Sequence, residues 1–169
     1  MNDKALPSGE PNVIFLEDEL NDRFGAGAVR VICPITDPFV RHHGALGSFV
    51  RGYARRRADI PSLMAASAVL PGVALVLDAS NAAERFELPL DREADFIVLG
   101  DENTAIGASR AEHDLSGLAG HRLRSHGGLG EQTVPFILSR PLTAEYQRTA
   151  AIRRLRNFDI FDFVLNGVE

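Results

Sequence analysis

The sequence predicts an α/β fold, and three observations support that class. The chain has 169 residues, with 45% hydrophobic and 24% charged residues, which suits a globular domain. Residues 12–100 alternate in the order helix, strand, strand, helix, strand, short helix, strand. From residue 101 the sequence becomes polar and rich in glycine and histidine, and another apolar segment follows. The order of elements in residues 12–100 is typical of a compact α+β unit with helices on one face of a small sheet.

Composition excludes several classes of protein. Lys and Arg total 18 and Asp and Glu total 23, so the net charge of −5 argues against a nucleic-acid binder. No apolar stretch reaches the roughly 18 residues of a membrane-spanning helix, and the N-terminus lacks the apolar core of a signal peptide. A single cysteine, Cys33, cannot form an internal disulfide and suits a reducing compartment. We therefore expect a cytoplasmic protein without nucleic-acid or membrane partners.

The first elements follow from turn residues and helical spacing. Residues 1–11 predict a loop, because proline and glycine occur there among polar neighbours. Asn12 is the expected N-cap of a helix that Gly25 ends. The apolar face of this helix carries residues at helical spacing, namely Val13, Leu16, Leu20 and Phe24. The β-branched residues 29–35 then predict a strand, and residues 39–53, which glycines interrupt, predict a second, irregular one.

The middle of the chain continues the alternation. Three arginines at 55–57 form the one dense basic cluster, which is either a solvated turn or a phosphate or nucleic-acid contact. Asp59 is the expected cap of a helix with Pro61 in its first turn, and Pro71-Gly72 stops that helix. Strands are expected at 73–77 and 95–99, with a short helix at 80–86 between them that Ser80 or Asn81 caps.

The last third predicts one strand and two helices. Residues 134–138 (VPFIL) are apolar and indicate a strand. Thr143 is the expected cap of the next helix, whose first turn carries Glu145, where a negative charge suits the helix dipole. A final element around Phe158, Phe161 and Leu165 is expected to end at Asn166-Gly167.

Five histidines are the first candidates for chemistry. His42 and His43 are adjacent, so on a strand they would point to opposite faces and could not share a metal. His113 could be a metal ligand or an exposed loop histidine. His121 and His126 are five residues apart, which in an extended segment places them about 16 Å apart on opposite faces.

His126 has the most informative surroundings. It follows an apparent short strand at 122–125 and precedes Gly127 and Gly128, which allow a sharp turn and a close approach to an ion or ligand. Ligands collect at the C-terminal ends of strands in α/β sheets. The alternative is a histidine that only occupies a turn.

Other reactive residues do not form a complete catalytic set. Ser125 adjoins His126, but neighbours on a strand diverge. Cys33 lies in an apolar strand, where burial makes a thiol inert. Asp101 and Glu102 are most simply a solvated strand end. The sequence contains neither a dinucleotide fingerprint nor a P-loop, and three ligands for a catalytic zinc cannot be assembled from the residues alone.

One segment resembles a known family. The resemblance begins at residues 125–137, SHGGLGEQTVPFI, which are similar to the last metal-ligand segment of the alkaline phosphatase superfamily. Three longer segments are similar to the C-terminal part of members of the phosphonoacetate hydrolase family, which makes the resemblance more specific. They are RVICPITDPFVRHHGALG from Arg30, EHDLSGLAGHRLRSHGG from Glu112 and NFDIFDFVLNG from Asn157.

The resemblance implies a function and a cofactor. Members of this family use two zinc ions and a threonine nucleophile to cleave the carbon–phosphorus bond of phosphonoacetate, giving acetate and phosphate. Carried over to this sequence, the metal-ligand pattern matches His126 alone. The resemblance places the nucleophile and the other ligands in a preceding N-terminal half. In the family, an Asp-His-Gly ligand motif is followed by residues similar to Met1 to Lys4 of this chain. Glu131 is expected to accept a hydrogen bond from the turn near His126.

The resemblance also divides the chain into segments. Residues 1–11 would be a loop, residues 12–110 an α+β cap over the metal site, and residues 111–169 a C-terminal segment of an alkaline-phosphatase-like core. The expected activity is therefore that of part of a hydrolase, inactive alone, whose partner is the missing half. The alternatives are a non-catalytic binding module that forms a homo-oligomer, and part of a related metal-dependent phosphodiesterase.

Overall fold

The structure, a computed structural model, describes residues 2–34, 46–118 and 121–169. Within these ranges the chain forms eight strands and five α-helices, which we number β1–β8 and α1–α5. The strands are Asn2–Asp3, Val13–Phe15, Val29–Ile32, Phe49–Ala54, Val73–Asp78, Phe96–Gly100, Ala105–Gly107 and Arg124–Ser125. The helices are Leu16–Phe24, Ile60–Ala68, Ala79–Phe86, Ala144–Ile152 and Asp159–Asn166. Strand pairs are both parallel and antiparallel, which confirms the predicted α/β class.

A four-stranded sheet forms the centre of the first part of the chain. Its order is β3-β4-β6-β5, and every neighbouring pair is antiparallel. All five positions of β6 are buried, as expected of a strand covered on both faces. Gly52 of β4 lies opposite Phe96 of β6, and a Cβ at Gly52 would overlap the Phe96 ring. The glycine therefore lets the ring pack across β4.

Helices cover both faces of this sheet. On one face α1 and α2 pack with the sheet in a core formed by Leu16, Leu20, Leu63, Ala66, Val29, Val31, Val50, Phe96 and Val98. On the other face Ala82 and Phe86 of α3 pack with Ile97 and Leu99 of β6. The expectation of helices on one face is therefore wrong. Successive residues of a strand point to opposite faces, and the uninterrupted apolar run of β6 needs a cover on each.

Two small sheets tie distant segments to this core. Strand β2 pairs in parallel with β7, and β1 pairs with β8 in antiparallel fashion. Because Val13 belongs to β2 and α1 begins at Leu16, the predicted N-cap at Asn12 is wrong. The Asn12 amide instead donates to Thr104 Oγ1 at 2.8 Å. The predicted end of the helix at Gly25, whose φ is 99°, is confirmed.

The capping contacts of α2 and α3 differ from what residue type alone predicts. At α2, Asp59 occupies the N-cap position, but its carboxylate pairs with Arg56 at 2.7 Å and makes no side-chain cap bond. At α3 the cap is Asp78, whose carboxylate accepts a hydrogen bond from the Asn81 backbone N–H at 2.8 Å. The predicted caps Ser80 and Asn81 therefore lie two and three residues after the actual cap.

The segment Thr133–Glu169 is a second compact unit, separate from Met1–Gln132. Thr143 occupies the N-cap position of α4 as predicted, and α5 ends at Asn166 with Gly167 as C-cap, which confirms the predicted stop. The buried Phe163 of α5 meets the rings of Tyr146 and Phe136 edge-on, at 5.0 and 5.4 Å between centroids. The predicted strand at 134–138 is wrong, because no strand in the described part of the chain pairs with it.

Some predictions fall outside the described residues. His42, His43 and the first part of the irregular strand predicted at 39–53 lie there, as does Ile35. The remainder of that strand corresponds to β4. Across residues 2–34, 46–118 and 121–169, none of the helices has the length and hydropathy that a membrane span requires.

Candidate functional site

His126 begins a tight turn immediately after β8. Pairing of β8 with β1 fixes the strand that precedes it. The Ser48 backbone N–H donates to the His126 carbonyl at 2.9 Å, which ties the turn to the start of β4. Gly127 has φ +95°, a conformation that glycine adopts without strain. The imidazole of His126 lies on the exposed side of the chain, where it can reach a ligand.

Glu131 closes the turn from its other end. A short 3₁₀ segment, Leu129–Glu131, brings the Glu131 carboxylate back so that Oε2 accepts from the Gly128 N–H at 2.8 Å. A Cβ at Gly128 would lie 2.9 Å from this carboxylate and 3.1 Å from Ser48 Cβ, so the position favours glycine. The expected hydrogen bond from the turn to Glu131 is confirmed. Hydrogen bonds therefore hold the turn at both ends, one at the His126 carbonyl and one at the Gly128 N–H.

Sequence reasoning missed Lys4, which contacts the same turn. Its side chain is fully buried. The ammonium donates to the Glu102 carbonyl at 2.9 Å and pairs with Glu131 Oε1 at 3.2 Å. A lysine at the fourth position of the chain, next to Asp3, shows no sequence signal of burial. Only the long-range packing of three segments places it inside.

The neighbouring serine has a structural position. Ser125 is buried, and its hydroxyl donates to the Leu46 carbonyl. Ser125 and His126 thus have opposite environments, as alternation along an extended segment predicts. This arrangement gives Ser125 no access to a substrate that binds beside His126.

The other predicted chemical residues do not converge on His126. His113 is buried, which contradicts an exposed loop histidine, and its Nε2 accepts from the Ala108 N–H at 2.9 Å. Gly107 makes room for it, since a Cβ there would lie 2.8 Å from the His113 ring. The Cys33 sulfur is 3.8 Å from His113 Nε2. Burial raises the pKa of the Cys33 thiol to about 11, so the predicted burial of this thiol is confirmed and a low reactivity is expected.

The remaining polar candidates lie at the surface. His121 is exposed, and so are the three arginines at 55–57, of which Arg56 pairs with Asp59. Glu102 is also exposed, while the Asp101 carboxylate accepts from the Asn103 N–H at 2.9 Å. These positions agree with a solvated turn and a solvated strand end.

Metal binding by the described residues is incomplete. Residues 2–34, 46–118 and 121–169 contain no group of three or more His, Cys, Asp or Glu side chains that could hold a metal ion. A catalytic zinc takes about three protein ligands. His126 has the right donor chemistry and an accessible position, but it supplies one ligand. The described residues by themselves therefore do not fit a zinc centre, and no catalytic step through a metal follows from them.

Comparison with known proteins identifies the family. No protein-family model matches the chain. A phosphonoacetate hydrolase from Penicillium oxalicum is 55% identical over 49 residues, an alignment that covers 27% of this chain and 68% of that protein. The chain belongs to the phosphonoacetate hydrolase family. This confirms the family that the three segments from Arg30, Glu112 and Asn157 indicate.

Two solved structures of the family resemble the whole chain. They are crystal structures of phosphonoacetate hydrolase from Sinorhizobium meliloti 1021, one in complex with phosphonoformate and one with phosphonoacetate. Both are 43% identical to this chain, with TM-scores of 0.78 and 0.77. The alignment covers 96% of this chain but 38% of each crystal structure chain. The chain thus spans well under half the length of these hydrolases.

Proposed function

We propose that this chain is the C-terminal part of a zinc-dependent phosphonoacetate hydrolase, which cleaves the carbon–phosphorus bond of phosphonoacetate to give acetate and phosphate. One observation carries the proposal. Identity of 43% extends over 96% of the chain in an alignment with hydrolases whose crystal structures contain phosphonoacetate or its analogue phosphonoformate. The chain covers 38% of their length, and in this proposal a complementary N-terminal segment supplies the remaining catalytic groups.

In this proposal His126 supplies one zinc ligand. Its exposed imidazole supports that role, and so do the hydrogen bonds that hold both ends of its turn. Metal ligands are held in place by surrounding hydrogen bonds. Zinc, when bound, would polarise phosphonate oxygens and activate a nucleophile. Residues 12–110 are proposed as the cap and residues 111–169 as the core segment. The buried free thiol of Cys33 supports a reducing location such as the cytoplasm.

A chimeric enzyme tests the proposal directly. The segment of the Sinorhizobium meliloti hydrolase that matches this chain would be replaced by these 169 residues. We expect the zinc-loaded chimera to release phosphate from phosphonoacetate. His126→Ala should reduce this rate by several orders of magnitude and lower the zinc content.

His121→Ala is the matched control, because His121 is an exposed histidine five residues away in the same region. It should leave both phosphate release and zinc content unchanged. A folded chimera that retains zinc and full activity after His126→Ala would contradict the assignment. Hydrolysis of a phosphodiester in place of phosphonoacetate would favour a related phosphodiesterase.

A specific observation favours a second candidate, a non-catalytic module that associates with another copy. Several large apolar side chains of the unit Thr133–Glu169 are exposed: Val134, Ile137, Ile152, Phe158, Phe161, Val164 and Leu165. Contiguous exposed apolar surface favours association. Sedimentation velocity distinguishes the candidates, since a stable homodimer that Leu165→Asp dissociates, together with an inactive chimera, would support the module.

A further inference from the structure

Lys4 is a buried charge whose ammonium joins distant parts of the chain. Its side chain has 0% exposure. Nζ donates to the Glu102 carbonyl at 2.9 Å, in the loop between β6 and β7, and pairs with Glu131 Oε1 at 3.2 Å. Taking an ammonium out of water is costly unless it is paired and hydrogen-bonded. A lysine in this position is therefore a constraint on the fold around it.

The partner of Lys4 is the residue that closes the His126 turn. The two carboxylate oxygens of Glu131 have different tasks, since Oε1 faces Lys4 and Oε2 accepts from the Gly128 N–H at 2.8 Å. The Glu131 side chain is 9% exposed, so it too depends on its partners for compensation. A chain of contacts thus runs from Lys4 through Glu131 to the backbone two residues after His126.

Lys4 is also placed by the strand pair that carries His126. Asn2 and Asp3 of β1 pair with Ser125 and Arg124 of β8, and the Lys4 N–H donates to the Leu123 carbonyl at 2.8 Å. The segment that precedes His126 and the turn that follows it therefore both meet the same lysine.

We propose that Lys4 is a positioning residue for His126. It holds the Glu131 carboxylate in the orientation that fixes Gly128, and thereby sets the turn from which the imidazole projects. The catalytic meaning of this positioning rests on the proposed function, but the coupling of Lys4 to the turn does not. Lys4 itself is buried and has no proposed contact with substrate.

Amide hydrogen exchange in the complete 169-residue chain, without metal or substrate, tests the coupling. In Lys4→Met we expect the Gly128 amide to exchange at least about tenfold faster, because its acceptor loses the group that orients it. The ring signals of His126 in NMR spectra should shift as well. Amides in β6 should keep their exchange rates.

Three further variants keep the test decisive. Lys4→Met leaves the Glu131 charge uncompensated and could unfold the chain, so a double variant with Glu131→Gln removes both charges. If Lys4 acts through Glu131, this double variant should match Glu131→Gln alone at Gly128. Asp3→Asn is the matched control, because it removes the exposed pairs with Arg122 and Arg124 beside the same strand and should not affect Gly128.

Defined results would overturn the proposal. Exchange at Gly128 that equals wild type in the double variant would do so, because the turn would then be independent of both side chains. Uniformly faster exchange across β6 and the turn would also do so, since it would assign Lys4 to global stability alone. A coupled turn combined with a chimera that needs no His126 would overturn the proposed function and leave the positioning intact.

Discussion

Cys33 and His113 show how a residue's environment decides its chemistry. Both are buried, and the Cys33 sulfur lies 3.8 Å from His113 Nε2. That nitrogen already accepts the Ala108 N–H at 2.9 Å, so it is engaged as an acceptor. Burial raises the pKa of the Cys33 thiol to about 11, which keeps it neutral. A cysteine beside a histidine is the residue pair of a nucleophile and its base, but here the thiol is neutral and the histidine nitrogen already accepts a hydrogen bond.

The raised pKa predicts slow reaction with thiol reagents. At pH 8 the thiolate fraction of native Cys33 should be about 100-fold below that of a thiol with pKa near 9. We expect the reaction with Ellman's reagent to be slower by at least that factor in the native chain than after unfolding in guanidinium. Equal rates would contradict the burial.

The same shift predicts an alkaline loss of stability. Folding raises the thiol pKa, so the stabilisation from the neutral thiol is complete below pH 9 and is lost as pH rises through about 11. Urea titrations between pH 8 and 11 should show a decline in the free energy of unfolding. Cys33→Ala should remove this part of the decline.

At the scale of elements, the start of α3 separates local signals from actual contacts. Serine and asparagine are strong cap formers, so Ser80 and Asn81 are reasonable caps by residue type. The chain instead uses Asp78, the last residue of β5, whose carboxylate accepts from the Asn81 N–H. Pairing of β5 with β6 fixes where the strand ends, and the helix begins immediately afterwards.

Substitution at the cap tests this assignment. Asp78→Ala should reduce the free energy of unfolding by about 0.5–2 kcal/mol, because it removes the acceptor for a helix N–H. Ser80→Ala is the matched control at an exposed position and should change stability by less than about 0.5 kcal/mol. The reverse order in chemical denaturation would place the cap at Ser80.

At the scale of the whole molecule, the residues that the structure describes offer one candidate metal ligand, His126, and no complete metal centre. It spans 38% of the crystallised hydrolases, and its described residues bring no second candidate ligand into a metal-binding group with His126. The exposed apolar residues of the unit Thr133–Glu169 and the unpaired apolar segment 134–138 indicate surfaces that a partner could cover.

The isolated chain should therefore be inactive. With added Zn²⁺ we expect it to release no phosphate from phosphonoacetate, because one histidine is too few protein ligands for a catalytic zinc. Mass spectrometry after desalting should find less than one zinc ion per chain. Turnover that disappears in His126→Ala, or tight stoichiometric zinc, would show that this chain holds further ligands.

The sequence by itself determined the features with local causes. Helical spacing and stop residues located α1, α2, α4 and α5, and apolar runs located β3, β5 and β6. The segments from Arg30, Glu112 and Asn157 pointed to the family that the comparisons confirm. The burial of Cys33 followed from its apolar neighbours along the chain.

Tertiary structure alone decided what depends on long-range partners. The two-sided covering of β6, the strand β2 in place of the first helical turn, and the irregular course of 134–138 each depend on which segments pair. Lys4 is the sharpest case, because its burial requires Glu102 and Glu131, which lie 98 and 127 residues away. A pattern of nearby residues carries no information about such contacts, since their free energy depends on groups that only folding brings together.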